Sequence, residues 1–148
     1  MLRYVYVNQK VMGTYQHPSP DIRRYCEERG FSSRVCEGGF DYLLDRWTKI
    51  VADVEAGYRL YFDEYLNDMD ARSIIDELGT YASDDEWAAV EAALPSLDAR
   101  FLAATRPIEI CIWGERNVAK HGYRPDRDWW YYRVPLDLSR VRDRGRWP

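Results

Sequence analysis

Motifs that carry chemistry are scarce in this chain. Its only histidines are His17 and His121, and its only cysteines are Cys26, Cys36 and Cys111. No two of these side chains stand about two to five residues apart, the spacing of structural zinc sites, so no metal is expected and nothing calls for a cofactor. An odd number of cysteines in a domain of ordinary size argues for reduced thiols rather than a disulfide framework. A glycine-rich phosphate loop, a Gly-x-Ser-x-Gly turn and a paired-histidine zinc helix are all missing, which removes the familiar nucleotide, hydrolase and metalloprotease signatures. No apolar run approaches the roughly 20 residues that cross a bilayer. Met1 to Val7 reads as a short strand rather than the apolar core of a leader. A soluble, cytoplasmic protein with no membrane partner is therefore expected.

What the chain has in abundance is aromatic residues and acids. Its 148 residues suit one globular domain, 1–148, and the twelve Tyr and six Trp are enough to fill its core and still serve a surface. Asp41 to Arg100 holds fifteen acids and five bases, a net of −10, whereas the flanks carry +2 and +4. Charge is thus segregated along the chain, and Arg140, Arg142, Arg144 and Arg146 alternate in a segment, 139–148, expected to be a mobile basic tail.

The patterning predicts a mainly helical α+β fold. Leu2 to Val7 has strand composition, and Asp21 to Arg29 is a helix closed by Gly30. Gly38-Gly39 breaks the chain before a strong helix, Asp41 to Ala56, with apolar residues at spacings of three and four and Gly57 as its stop. Asp63 to Leu78 is helical by preference, but Asn67-Asp68-Met69-Asp70 predicts a break, because short Asx side chains compete for backbone hydrogen bonds. Ser83 and Glu86 form a capping box for a helix that Pro95 should end, followed by a further helix from Leu97 to Thr105. Ile108 to Trp113 alternates as a strand, and Trp129 to Val134 reads as its antiparallel partner. Four or five helices would then pack with a small antiparallel sheet of C-terminal strands, which the N-terminal strand can join.

Three functions fit such a chain. The preferred one is a non-catalytic inhibitor, of the immunity or phage type, that neutralises a basic partner such as a toxin or nuclease. A rigid array of carboxylates can occupy a groove made for nucleic acid, and interleaved aromatics supply anchors. The residues expected to contact the partner are Tyr58, Tyr61, Asp63, Glu64, Tyr65, Asp68, Asp70, Asp84, Asp85 and Trp87. The second is a small enzyme pairing a cysteine or histidine with acids, for which nothing local speaks. The third is a nucleic-acid-binding module using the C-terminal Arg, Trp and Tyr residues, against which a pI of about 5.2 weighs.

Overall fold

The computed structural model describes residues 17–148, and the strand expected at Leu2 to Val7 lies outside them. Five α-helices and a two-stranded antiparallel sheet are present among the described residues, a mainly helical α+β fold. The helices are α1 (Pro20–Arg29), α2 (Ser33–Glu55), α3 (Phe62–Gly79), α4 (Asp84–Ala103) and α5 (Glu115–His121), and the strands are β1 (Thr105–Pro107) and β2 (Arg133–Pro135). The chain divides into two compact units, Met1–Arg46 with Ile74–Pro95, and Trp47–Ser73 with Ser96–Pro148.

In the first unit, the Ser19 hydroxyl accepts from the Ile22 amide, proline occupies the first turn of α1, and Gly30 closes the helix at φ 77°. The core takes Ile22 and Cys26 from α1, Val35, Cys36, Phe40 and Leu43 from α2, Ile75 and Leu78 from the end of α3, and Val90 and Leu94 from α4. The break foreseen at Gly38-Gly39 is a kink within α2, at Gly39, with φ 55° and ψ −138°. A Cβ at Gly39 would stand 2.9 Å from both His17 Nε2 and Pro18 Cγ, so the position requires glycine for its torsion and for the close approach. Gly39→Ala should therefore cost about 2 kcal/mol or more in urea unfolding. Gly30→Ala, where a Cβ meets nothing within 4 Å, should cost only the left-handed torsion, about 1 kcal/mol. Equal losses at the two sites would refute the packing argument at Gly39.

The second unit is built on aromatic rings. Trp47, Tyr58, Tyr65, Phe101, Trp130 and Tyr131 are all at most 2% exposed, and each buried ring contributes about 1.5–3 kcal/mol of apolar burial. Gly57, at φ 94°, ends α2 as expected. The break expected at Asn67 to Asp70 does not occur, and α3 runs unbroken. Asp68 and Asp70 accept from the hydroxyls of Tyr58 and Tyr131, both at 2.6 Å, so these carboxylates serve side chains instead of competing for the helix backbone. Nor does Pro95 end its helix; α4 continues to Ala103. The carbonyl that Pro95 leaves without a donor belongs to Glu91, an exposed residue, while Leu94 and Leu97 on either side of the proline are buried.

The strand boundaries also differ from expectation. The sheet pairs Thr105 with Pro135 and Pro107 with Arg133, antiparallel as foreseen but only three residues long. Ile108 to Trp113 is not a strand: consecutive Cys111 and Ile112 are both buried while Ile110 is 58% exposed, a pattern that strict alternation cannot produce. Two amides still bond across, Ile108 to the Tyr132 carbonyl at 2.9 Å and Ile112 to the Tyr131 carbonyl at 2.8 Å. Trp129–Tyr132 forms a 3-10 turn, which buries Trp130, Tyr131 and Tyr132 in succession, and only Arg133 onward is extended. Residues 139–148 do not hang free. Trp147 is 5% exposed against Tyr58, Phe62 and Tyr65, with ring centroids 5.1–5.8 Å apart, and its indole N–H donates to Asp143 at 2.9 Å.

Candidate functional site

The sequence-predicted contact residues fall into both units, and burial removes several of them. Tyr58 and Tyr65 are 0% exposed, so the expectation that they touch a partner is corrected: they are core residues. Their hydroxyls bond Asp68 and the Arg133 carbonyl, and burial, the largest influence, pushes both phenols far above their ordinary pKa. Asp68 and Asp70 are half-buried acceptors for Tyr58 and Tyr131 respectively. Asp63 is exposed but pairs with Arg146 at 3.0 Å, and Glu64 turns back to its own helix start, accepting from the Tyr61 amide at 3.3 Å. Tyr61 alone in this group presents a largely open ring, at 47% exposure. The alternation of aromatics and acids between Tyr58 and Asp70 is therefore mainly a folding device.

The first unit retains the acidic surface. Its described residues carry twelve acids and five bases, a net of −7, and no Lys or Arg occurs from Ser73 to Asp98 and Ala99. Three carboxylates of this segment are used internally: Asp98, in the second unit, accepts from Arg72 and the Trp47 indole, and Glu86 and Glu77 are engaged within the first. Glu86 caps its own helix, accepting from the Ser83 amide at 3.0 Å while the Ser83 hydroxyl receives the Glu86 amide at 3.2 Å. It also accepts from the Ser19 amide at 2.8 Å and lies 3.1 Å from His17 Nδ1, and Glu86 itself is 0% exposed. Burial alone would raise its carboxyl, but these donors, His17 first, hold it down at about 2. Glu77 accepts from the Tyr25 hydroxyl and from Arg29 Nε at 2.5 Å. Burial opposes its ionisation, yet those two donors bring the carboxyl below its ordinary value.

The other acids of the segment, Asp76, Asp84, Asp85 and Glu91, face solvent. Tyr81 sits among them in sequence with 43% of its surface exposed, its ring stacked on Tyr25 at 4.1 Å and 22°. Stacking on a ring that is itself anchored through Glu77 and Arg29 holds Tyr81 in place. Trp87 is half-buried, edge-on to Phe40 at 6.0 Å and packed close to Gly79. The carboxylates of Asp84 and Asp85 serve the first turn of α4 and remain open to solvent. In sequence Tyr81 reads as one of the aromatics interleaved with the acids, but nothing in its neighbours foretells the stacking on Tyr25, more than fifty residues away in the chain.

Residues weighed for catalysis are placed unfavourably for it. All three cysteines are buried and free. Burial, with Cys36 adjacent, pushes the Cys26 thiol up to about 12, and burial raises Cys111 as well, the reverse of what an activated nucleophile needs. His17 is 2% exposed and engaged by Glu86 and the Gly38 carbonyl, and His121 stacks on Tyr123 at 5.4 Å. Among the described residues no three His, Cys, Asp or Glu side chains gather as a metal set, and no helix is long and apolar enough to cross a membrane. Several arginines considered for nucleic acid are tied down: Arg124 by Asp126, Arg127 by Asp128, and Arg133 by Thr105. No family model, curated protein or solved structure is a significant match to this chain.

Proposed function

We propose that this protein is a non-catalytic inhibitor that binds a basic protein partner, of the toxin or nucleic-acid-processing class, through the acidic corner between α3 and α4. The single observation that carries this reading is the stretch from Ser73 to Ala99, without Lys or Arg in its sequence, in which Asp76, Asp84, Asp85 and Glu91 are exposed and the open Tyr81 is already stacked on Tyr25. Exposed carboxylates in a stretch that contributes no Lys or Arg of its own accelerate encounter with a positively charged surface, and a ring already ordered by stacking loses little entropy on docking. The contact set moves accordingly from Tyr58 to Asp70 toward Asp76, Tyr81, Asp84, Asp85, Trp87 and Glu91. A nuclease is the fitting partner class because its groove presents cations at the spacing of a phosphate chain, which carboxylates can mimic.

The test compares three baits in extracts of the source cells: wild type, Asp84→Lys with Asp85→Lys, and Tyr81→Ala. Wild type should retain a Lys- and Arg-rich protein that salt releases, and the charge-reversed bait should retain it at least about tenfold less. The purified partner should lose its activity on nucleic acid at one equivalent of wild type. Equal retention by wild-type and reversed baits removes this surface, and retention without inhibition removes the inhibitory role.

A further inference from the structure

The unit Trp47–Ser73 with Ser96–Pro148 holds thirteen acids and fourteen bases, a net of +1 in a chain whose total is −4. Most of its paired arginines are easily identified: Arg72 with Asp98, Arg100 with Glu55, Arg124 with Asp126, Arg127 with Asp128 and Arg146 with Asp63. Arg59, Arg140 and Arg142 differ. They line one open cleft of about 630 Å³ with Tyr61 and Val141, and among the described residues none of them forms an ion pair with a carboxylate. Asp137, the acid whose charge Arg140 feels, directs Oδ1 to the Ser139 amide and hydroxyl at 2.9 and 2.6 Å. Asp53 lines a smaller adjoining cleft that shares Arg59.

The convergence of these arginines is built, not incidental. Asp143 accepts from the Phe62 amide at 3.1 Å and from the Trp147 indole, and Trp147 is buried against Tyr58, Phe62 and Tyr65. Those contacts fasten the C-terminal segment to the corner between α2 and α3. The Arg142 amide then bonds the Leu60 carbonyl at 3.3 Å, its guanidinium stands 5.9 Å from the Tyr61 ring centroid, and Arg140 and Arg59 share the same opening. Like charges brought together repel one another unless an anion joins them. Three guanidinium groups offer paired N–H donors to phosphate oxygens, and an exposed ring beside them suits a nucleobase. A carboxylate ligand would use the cations and leave the ring idle. The cleft also falls within the roughly 300–1,000 Å³ typical of small-molecule sites.

We infer that this cleft binds a nucleoside phosphate, with Arg59, Arg140 and Arg142 on the phosphate oxygens and the base against Tyr61. The moiety can be a free nucleotide or one unit of a single strand. The site is separate from the acidic corner and stands or falls independently of it.

The experiment uses the full chain at low salt, with ADP, single-stranded oligonucleotides of two and ten nucleotides, inorganic tripolyphosphate and a decaglutamate peptide as probes. Titration calorimetry should show ADP binding that competes with the oligonucleotide and weakens as salt rises. Arg59→Gln with Arg140→Gln, two side chains that donate no hydrogen bond to the described fold, should weaken ADP at least about tenfold with an unchanged thermal midpoint. Tyr61→Ala should weaken ADP by about tenfold while leaving tripolyphosphate within about twofold. Affinity that rises steeply with strand length identifies a nucleic-acid strand, and affinity that does not identifies a free nucleotide; both uphold the assignment. Absence of binding, binding indifferent to the arginine pair, or decaglutamate binding as well as ADP overturns it.

Discussion

Glu86→Gln should lower the unfolding free energy by about 3 kcal/mol at pH 7, and Glu86→Ala by more. The carboxylate receives the Ser83 and Ser19 amides and faces His17 Nδ1, at 2.8–3.1 Å and without solvent. Glutamine keeps the shape, but one terminal atom becomes a donor and meets another donor head-on. Alanine removes the acceptor from all of them at once. The same carboxylate predicts a pH dependence with a definite sign. Its folded pKa of about 2 lies below the ordinary 4.5, so its contribution is complete above the unfolded value and is lost as pH falls from about 4.5 through 2. A shift of that size corresponds to about 3 kcal/mol. Urea unfolding at pH 7 and pH 2.5 checks this: wild type should lose more between the two pH values than Glu86→Gln, and parallel losses would refute the assignment.

Asp98 should be as important to the second unit. It accepts Arg72 Nε at 2.9 Å and Nη2 at 2.8 Å, a bidentate pair, and the Trp47 indole at 3.0 Å. Arg72 is only 5% exposed, and its guanidinium lies over the rings of Trp130 and Trp129 at 4.7 and 5.6 Å. Asp98→Asn places an amide against the guanidinium and removes its counter-charge, which should cost about 3–5 kcal/mol. Replacing both partners, Arg72→Met with Asp98→Leu, should cost less than the sum of the single changes, because no charge remains buried. A thermodynamic cycle from denaturant melts gives the coupling, and additive losses would show that the pair does not act as a unit. The Arg100 and Glu55 pair is the useful contrast. It lies at 44% and 38% side-chain exposure, and solvent screening should make its loss nearly silent.

The helices were legible where local chemistry decides them. Ser83 and Glu86 stand at capping-box spacing, Gly30 and Gly57 sit at helix ends, and the apolar spacing from Phe40 to Val54 marks one face of α2. The expected break at Asn67 to Asp70 failed because the hydroxyls that engage Asp68 and Asp70 come from Tyr58 and from Tyr131, the latter sixty-one residues away. Strand patterning at Ile108 to Trp113 and Trp129 to Val134 failed for a related reason. Alternation describes a flat half-buried ribbon, whereas these segments bury consecutive side chains by turning.

Both candidate sites depended on the same distinction. Composition established that acids crowd the middle of the chain and arginines its end, and residue preference established a mainly helical fold. Neither could say which charges would remain available. Glu86, Glu77 and Asp98 look in sequence like any other surface acid, yet each is consumed by partners distant in the chain, while Asp84 and Asp85 keep solvent. Arg140 and Arg142 read as tail residues until the burial of Trp147 brings them to Arg59 and Tyr61. Charge and periodicity are local properties and stand in the sequence; burial and pairing are set by which segments meet, and so belong to the tertiary structure.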